Sequence, residues 1–71
     1  MNKVCELSEL RELAIIHDAR SQVTDTGEEF YQFEFGTIIS DDAGYLAGEP
    51  SDAYLSYLRC FIENELHLNN D

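Results

Sequence analysis

The sequence predicts a small α+β domain, with an N-terminal helix, then an antiparallel β-hairpin or small sheet, then a C-terminal amphipathic helix. Three observations favour this fold class: apolar residues at helical spacing near both ends, a central stretch dense in aromatic and β-branched residues, and turn residues beside it. The chain has no internal repeat or Pro- or Ser-rich linker, so one domain is expected over residues 1–71. A chain of this length buries about 60% of its unfolded surface, so we expect a small core and no large substrate cleft.

The C-terminal helix is predicted from residues 51–66, SDAYLSYLRCFIENEL. Its apolar residues recur at spacings of three and four, which places them on one face of a helix. Ser51, directly after Pro50, is a suitable N-cap, and Asp52 puts a negative charge in the first turn, where the helix dipole favours it. The apolar face consists of Leu55, Leu58, Ile62 and Leu66, with Tyr54 and Phe61 beside them.

A second helix is expected to begin near Glu6 or Ser8, among Glu, Leu, Arg and Ala residues with strong helix propensity. From Ile15 onward, β-branched residues weaken that propensity. The change from helix to strand is therefore predicted between Leu13 and Arg20. The residues at helical spacing are Leu7, Leu10, Ala14 and His17.

A turn is predicted at residues 24–27, TDTG, where Asp25 can close an Asx-type turn and Gly27 can adopt a positive φ. The next stretch, EEFYQFEFGTIIS at residues 28–40, predicts one long strand with Glu34 facing water. The side chains expected to face the helices are Tyr31, Phe33, Phe35 and Thr37.

This strand needs a partner for its backbone hydrogen bonds. One candidate is the segment from Ile15 to Val23, paired as a hairpin. A second is the short stretch around Tyr45 and Leu46. The third is the same strand of a second copy, which would make the protein a homodimer.

Residues 40–50, SDDAGYLAGEP, are predicted to form a solvated loop because Gly44, Gly48 and Pro50 interrupt regular structure. Asp41 and Asp42 precede Gly44, but the oxygen ligands and terminal Glu of a calcium-binding EF-hand are missing from the required positions. We therefore expect no metal at this loop.

The sequence offers no motif for catalysis, metal binding or a cofactor. The two histidines and two cysteines, His17, His67, Cys5 and Cys60, lack the close-spaced pairs typical of structural zinc sites. Nothing nearby indicates an activated thiol, and the chain has few glycines to bind a phosphate. We expect a protein that is not an enzyme, with two free thiols; a Cys5–Cys60 disulfide is the alternative.

The charge is strongly negative, with 15 acidic against 4 basic residues and a formal net charge of −11. Lys3, Arg11 and Arg20 lie in the first twenty residues, whereas Arg59 is the one basic residue after them. Such a surface repels nucleic acids and anionic membranes and attracts basic grooves on proteins. The start of the chain lacks an apolar signal-peptide run and no stretch is long enough to span a membrane, so a cytoplasmic protein is expected.

The acids of the turn, the strand and the loop are predicted to form one stripe that binds a basic protein partner. Evenly spread carboxylates would be too sparse to match the charge density of DNA, so this prediction depends on clustering. The stripe consists of Asp25, Glu28, Glu29, Glu34, Asp41, Asp42, Glu49 and Asp52.

In size, acidity and aromatic content, the chain resembles the small phage-type proteins that mimic nucleic acid, such as anti-CRISPR and anti-restriction proteins. The resemblance concerns the character of the whole chain and includes no aligned motif, so it carries over no site residue. It implies an inhibitor, acting in the host cytoplasm, that binds the basic nucleic-acid-binding groove of a host defence effector.

Two other functions are consistent with the same sequence. An antitoxin or immunity-type protein would cover the basic site of a toxin or nuclease with a similar acidic surface. An adaptor or subunit would instead contact its partner through Tyr54, Tyr57 and Phe30, with the charge serving only solubility.

Overall fold

The computed structural model describes residues 2–69 and confirms the α+β fold, with two helices and a five-stranded antiparallel sheet. Both helices contribute to a core on one face of the sheet. In chain order the elements are β1 Lys3–Cys5, α1 Leu7–Ile16, β2 Ser21–Val23, β3 Glu29–Phe33, β4 Gly36–Ser40, β5 Gly44–Leu46 and α2 Asp52–Asn69.

The strands lie in the order β1-β5-β4-β3-β2. Strands β2 to β5 form a meander of consecutive antiparallel neighbours, while β1 adds to the far edge beside β5. Helix α1 therefore connects the two edge strands of the sheet. Strand β1, which has only three residues, was not predicted from the sequence.

The predicted long strand at residues 28–40 is wrong, because this stretch forms the hairpin of β3 and β4. Phe33 pairs with Gly36, so Glu34 and Phe35 form a two-residue turn. Gly36 has a φ of 142°, which other residues rarely adopt, and a Cβ there would lie 3.1 Å from Leu46 Cδ1.

The turn corrects one predicted side-chain direction in this stretch. Tyr31, Phe33 and Phe35 all pack against the core as expected, Phe35 from its place in the turn. Thr37 neighbours Ile38, which is fully buried, so Thr37 points to the opposite face.

Of the three partners proposed for the predicted long strand, the two from the same chain are present in the sheet. Strand β2 pairs with β3 through Gln22 and Phe30, and β5 pairs with β4 through Tyr45 and Ile39. Strands β3 and β4 thus each have a partner strand of the same chain on both sides. The predicted loop at residues 40–50 is accordingly wrong over β5.

Gly44 lies in β5, at a point where the packing leaves no room for a side chain. A Cβ at this position would lie 2.6 Å from Cys5 Sγ and 3.2 Å from Ile38 Cγ2. The residue that suggested a break in structure therefore allows β1 and β5 to approach closely.

Both helices begin with a capping side chain, and the cap of α2 at Ser51 is the predicted one. Glu6 and Glu9 form a capping box at the start of α1. Ser51 Oγ accepts a hydrogen bond of 3.1 Å from the backbone N–H of Tyr54 at the start of α2. The predicted apolar face of α2 is confirmed, since Leu55, Leu58, Ile62 and Leu66 are all buried.

The predicted turn at residues 24–27 is also confirmed, with Gly27 at a φ of 88°. Its side-chain hydrogen bond comes from Thr24 and not from Asp25, because Thr24 Oγ1 accepts the backbone N–H of Glu28 at 3.0 Å. The predicted switch from helix to strand falls at residues 17–20, within the expected interval.

The core lies between the sheet and the two helices. Its largest fully buried side chains are Leu10, Leu13, Ile38, Leu58 and Ile62. Cys5 is buried beside them and Cys60 is exposed, and both are free thiols. The alternative of a Cys5–Cys60 disulfide is therefore wrong for this structure.

Candidate partner-binding surface

The strand register brings two acidic turns to the same end of the sheet. Glu29 in β3 pairs with Ser40 in β4, and Ser40 pairs with Gly44 in β5, so the β2–β3 and β4–β5 turns project side by side. We call this group of exposed carboxylates the acidic end. It consists of Asp25, Glu28, Glu29, Asp41 and Asp42.

The other three predicted stripe residues lie at the opposite end of the sheet. Glu34 is in the β3–β4 turn, Glu49 follows β5, and Asp52 begins α2. The five residues of β4 separate the two ends by about 17 Å. The predicted single stripe is therefore two groups, because β3 and β4 fold back on each other where one continuous strand was expected.

Glu6, directly after β1, and Glu9, in the first turn of α1, are acidic side chains that were not predicted to belong to the site. Lys3 also lies here, but its ammonium is paired with Glu6 Oε1. That hydrogen bond is the main cause of the raised pKa of Lys3, and Asp42 and Glu9 contribute through their negative charge. The ammonium group of Lys3 is thus already paired within the chain. The position of Lys3 at this end of the sheet was not predicted, because β1 itself was not predicted.

Tyr45 fixes the position of one carboxylate at the acidic end. Its hydroxyl donates a hydrogen bond of 2.5 Å to Asp42 Oδ1, and this bond is the main cause of the raised pKa of Tyr45. Within residues 2–69, no hydrogen bond or ion pair engages the carboxylates of Glu28, Glu29 or Asp41. These three groups are available to an external cation.

The spacing of these charges is comparable to that along one DNA strand. The sheet end is about 19 Å wide from β1 to β2, since neighbouring strands lie about 4.8 Å apart. One strand of a duplex carries a phosphate for about every 3.4 Å of axis, which gives about six charges over that width. The acidic end presents five carboxylates, a similar number, while Glu6 beside them is paired with Lys3.

An apolar row borders the acidic end on the face of the sheet that the helices leave open. The row consists of Phe30, Ile39 and Tyr45, which are direct cross-strand neighbours and half-buried. A surface cleft of about 390 Å³ lies where the row meets Asp41 and Asp42. Apolar and anionic groups therefore adjoin on one continuous surface.

The aromatic residues proposed for an adaptor do not form one patch. Tyr54 and Tyr57 stack along α2 with ring centroids 6.2 Å apart, and Tyr57 is 63% exposed. Tyr54 is partly held within the fold, because its hydroxyl donates a hydrogen bond of 2.7 Å to the carbonyl of Phe35. Phe30 lies on the open face of the sheet, away from the helices.

His17 and Cys5 are packed against other side chains of the fold. His17 packs edge-on against Phe33 and Phe35, and its Nε2 lies 3.6 Å from Glu65 Oε2. Burial, with help from Glu9 and Glu6, raises the pKa of the Cys5 thiol to about 11. A thiol with this pKa stays protonated near neutral pH and is a poor nucleophile.

Within residues 2–69, no group of three or more His, Cys, Asp or Glu residues is arranged to hold a metal ion. Neither described helix is both long enough and apolar enough to cross a membrane. Comparisons of the chain with family models, with curated proteins and with solved structures found no match.

Proposed function

We propose that this protein is a non-enzymatic inhibitor whose acidic end binds the basic nucleic-acid-binding groove of a host defence effector. The observation that carries the proposal is the convergence of five exposed carboxylates from two separate turns at one end of the sheet. Their linear density is close to that of phosphates on one DNA strand. In this role the protein acts in the host cytoplasm as a mimic of nucleic acid.

The charge distribution suits rapid, salt-dependent association. A net charge of −11 on so small a domain attracts a basic groove over several ångströms, which speeds encounter. Added salt weakens this attraction, because exposed charges are screened over a Debye length of about 8 Å at physiological ionic strength. An inhibitor of this kind competes with nucleic acid for the groove.

An antitoxin or immunity-type protein would use the same acidic end, and the identity of the captured partner separates it from the proposed inhibitor. The adaptor function depends on a different surface. The stacked and exposed Tyr57 on α2 supports it, since exposed aromatic residues are common at protein interfaces. Substitution of Tyr57 therefore distinguishes the adaptor from both acidic binders.

The test is affinity capture from a bacterial lysate by immobilised protein, followed by elution with a short DNA duplex. Wild type is compared with Glu28→Gln/Glu29→Gln, which neutralises two acids of the acidic end. The matched control, Glu34→Gln/Glu49→Gln, removes the same charge at the opposite end. All three proteins should have similar melting temperatures, because these side chains are exposed.

We expect wild type and the control to capture a basic nucleic-acid-binding protein that the duplex elutes, and the acidic-end variant to capture at least tenfold less. Equal capture by all three proteins, with the partner holding duplex and this protein together, would contradict mimicry. Loss of capture in Tyr57→Ala alone would support the adaptor function instead.

A further inference from the structure

The open face of the sheet carries apolar side chains that the core does not use. Ile38 and Ile39 are consecutive in β4, and Ile38 is fully buried beneath the helices, so Ile39 points the other way. Phe30 and Tyr45 pair with Ile39 from the two neighbouring strands. The apolar row thus crosses three strands on the face opposite the core.

No described element of the chain covers this row. The core cluster and the partly buried side chains packed against it do not include Phe30, Ile39 or Tyr45. Antiparallel sheets often expose one face to water, but that face is then usually polar. An apolar row across three strands of such a face is typical of a contact surface.

The acidic end runs parallel to the row, just beyond it. Asp41 and Asp42 directly follow β4, and Glu28 and Glu29 lead into β3, so carboxylates flank the row along one side. The cleft of about 390 Å³ is lined by Ile39 and Tyr45 together with both aspartates. A partner that fills this surface needs an apolar strip with basic residues along one edge.

We infer that an amphipathic basic helix of the protein partner docks across the open face. Its apolar side chains cover the apolar row, and its arginines or lysines meet the acidic end. The row spans about 10 Å from β3 to β5, and helix positions i, i+4 and i+7 span a similar length of about 10 Å. This inference rests on the proposed function, because it states the chemistry of the same basic partner.

Charge argues against the other occupants of this face. A second copy would bring two acidic proteins together, each with a net charge of −11, and nucleic acid would be repelled in the same way. A basic amphipathic helix would contact both the apolar row and the acidic end. Burial of its apolar face excludes water and so strengthens the adjacent ion pairs.

The experiment uses two synthetic helical peptides of about 18 residues, or five turns. The first has leucines along one face and arginines along one flank, and the second replaces every leucine by glutamine at unchanged charge. Dissociation constants are measured by fluorescence anisotropy at low and at physiological salt. The protein variant is Phe30→Thr/Ile39→Thr, in which threonine keeps a high β propensity.

The matched control is Ile15→Thr/Tyr57→Thr, which removes two large apolar side chains that are 79% and 63% exposed on the helices. Wild type and this control should bind the leucine peptide at least tenfold more tightly than the glutamine peptide. The Phe30→Thr/Ile39→Thr variant should lose that preference and keep its salt dependence. If the double variant does not fold, Ile39→Thr alone should reduce the preference.

Equal binding of both peptides by wild type, or a preference that survives Phe30→Thr/Ile39→Thr, overturns the docked helix. If both peptides bind equally and Glu28→Gln/Glu29→Gln weakens both, the acidic end still binds a basic partner and only this inference fails. If neither peptide binds, or no acidic-end variant matters, the proposed function is contradicted as well. A dimer of wild type in sedimentation equilibrium that Phe30→Thr/Ile39→Thr dissociates would assign the row to a second copy and overturn the inference.

Discussion

Ile38 and Ile39 are the same residue type at consecutive positions of β4, yet the fold uses them differently. Ile38 is fully buried between the sheet and the helices, whereas Ile39 is half-buried on the open face beside Asp41 and Asp42. Alternation along a strand therefore separates the two roles of this sheet. One face supplies stability, and the other, with the acidic end, supplies the surface proposed for binding.

The largest expected effect is the difference between Ile38→Ala and Ile39→Ala. Ile38→Ala leaves a cavity in the core and should reduce the free energy of unfolding by about 2–5 kcal/mol, enough to unfold much of so small a domain. Ile39→Ala removes a side chain from a partly solvated surface and should cost less than about 1.5 kcal/mol. Urea titration measures both, and equal costs would show that the two faces are equally packed.

A smaller effect is expected for Gly44→Ala, on the core side of β5. The added methyl group would meet Cys5 Sγ and Ile38 Cγ2, and overpacking of this kind costs about 1–3 kcal/mol. Because the closer contact is Cys5, the cost should be lower when Gly44→Ala is introduced into a Cys5→Ala background. The same cost in both backgrounds would mean that the contact with Cys5 Sγ does not cause the destabilisation.

A pH-dependent effect on stability is expected from Cys5 at alkaline pH. Burial raises the pKa of its thiol from 9.0 to about 11, so the protonated thiol is favoured in the folded state. A raised folded pKa contributes stability below pH 9 that is lost as the pH rises through about 11. The melting temperature of wild type should therefore fall more than that of Cys5→Ala between pH 9 and pH 11.

Cys60, which is exposed, provides an internal control for the burial of Cys5. It is exposed on α2, so a thiol reagent at pH 8 should modify it promptly and modify Cys5 only as the protein opens. Cys60→Ser should then leave a protein with one slowly reacting thiol. Fast modification of that remaining thiol would contradict the burial of Cys5.

The sequence was sufficient to predict α2 because its apolar spacing, N-cap and breaker residues all indicate the same element. It was insufficient for β3 and β4, because Glu34 and Phe35 are not typical turn residues and only Gly36 marks the reversal. Strand β1 was missed since three residues carry too little pattern to predict a strand. Gly44 was misleading, because its role depends on Cys5, a residue distant in the sequence.

The candidate surface was predictable only in part. The acids of each turn can be read directly, but their meeting at one end depends on the register that pairs Glu29 with Ser40 and Ser40 with Gly44. That register follows from the unrecognised turn at Glu34, and β5, antiparallel to β4, leads from the acidic end to Glu49 at the opposite end. The apolar row depends on the same register, so composition alone could not have revealed it.

The most direct test of the central claim compares matched charge removals at the two ends of the sheet. The affinity for the leucine–arginine helical peptide is measured by titration calorimetry at low and at physiological salt. Glu28→Gln/Glu29→Gln should weaken binding about tenfold at low salt and flatten the salt dependence, whereas Glu34→Gln/Glu49→Gln should stay within about twofold of wild type. Equal losses from both double variants would mean that only net charge attracts the peptide, which would contradict a binding surface at the acidic end.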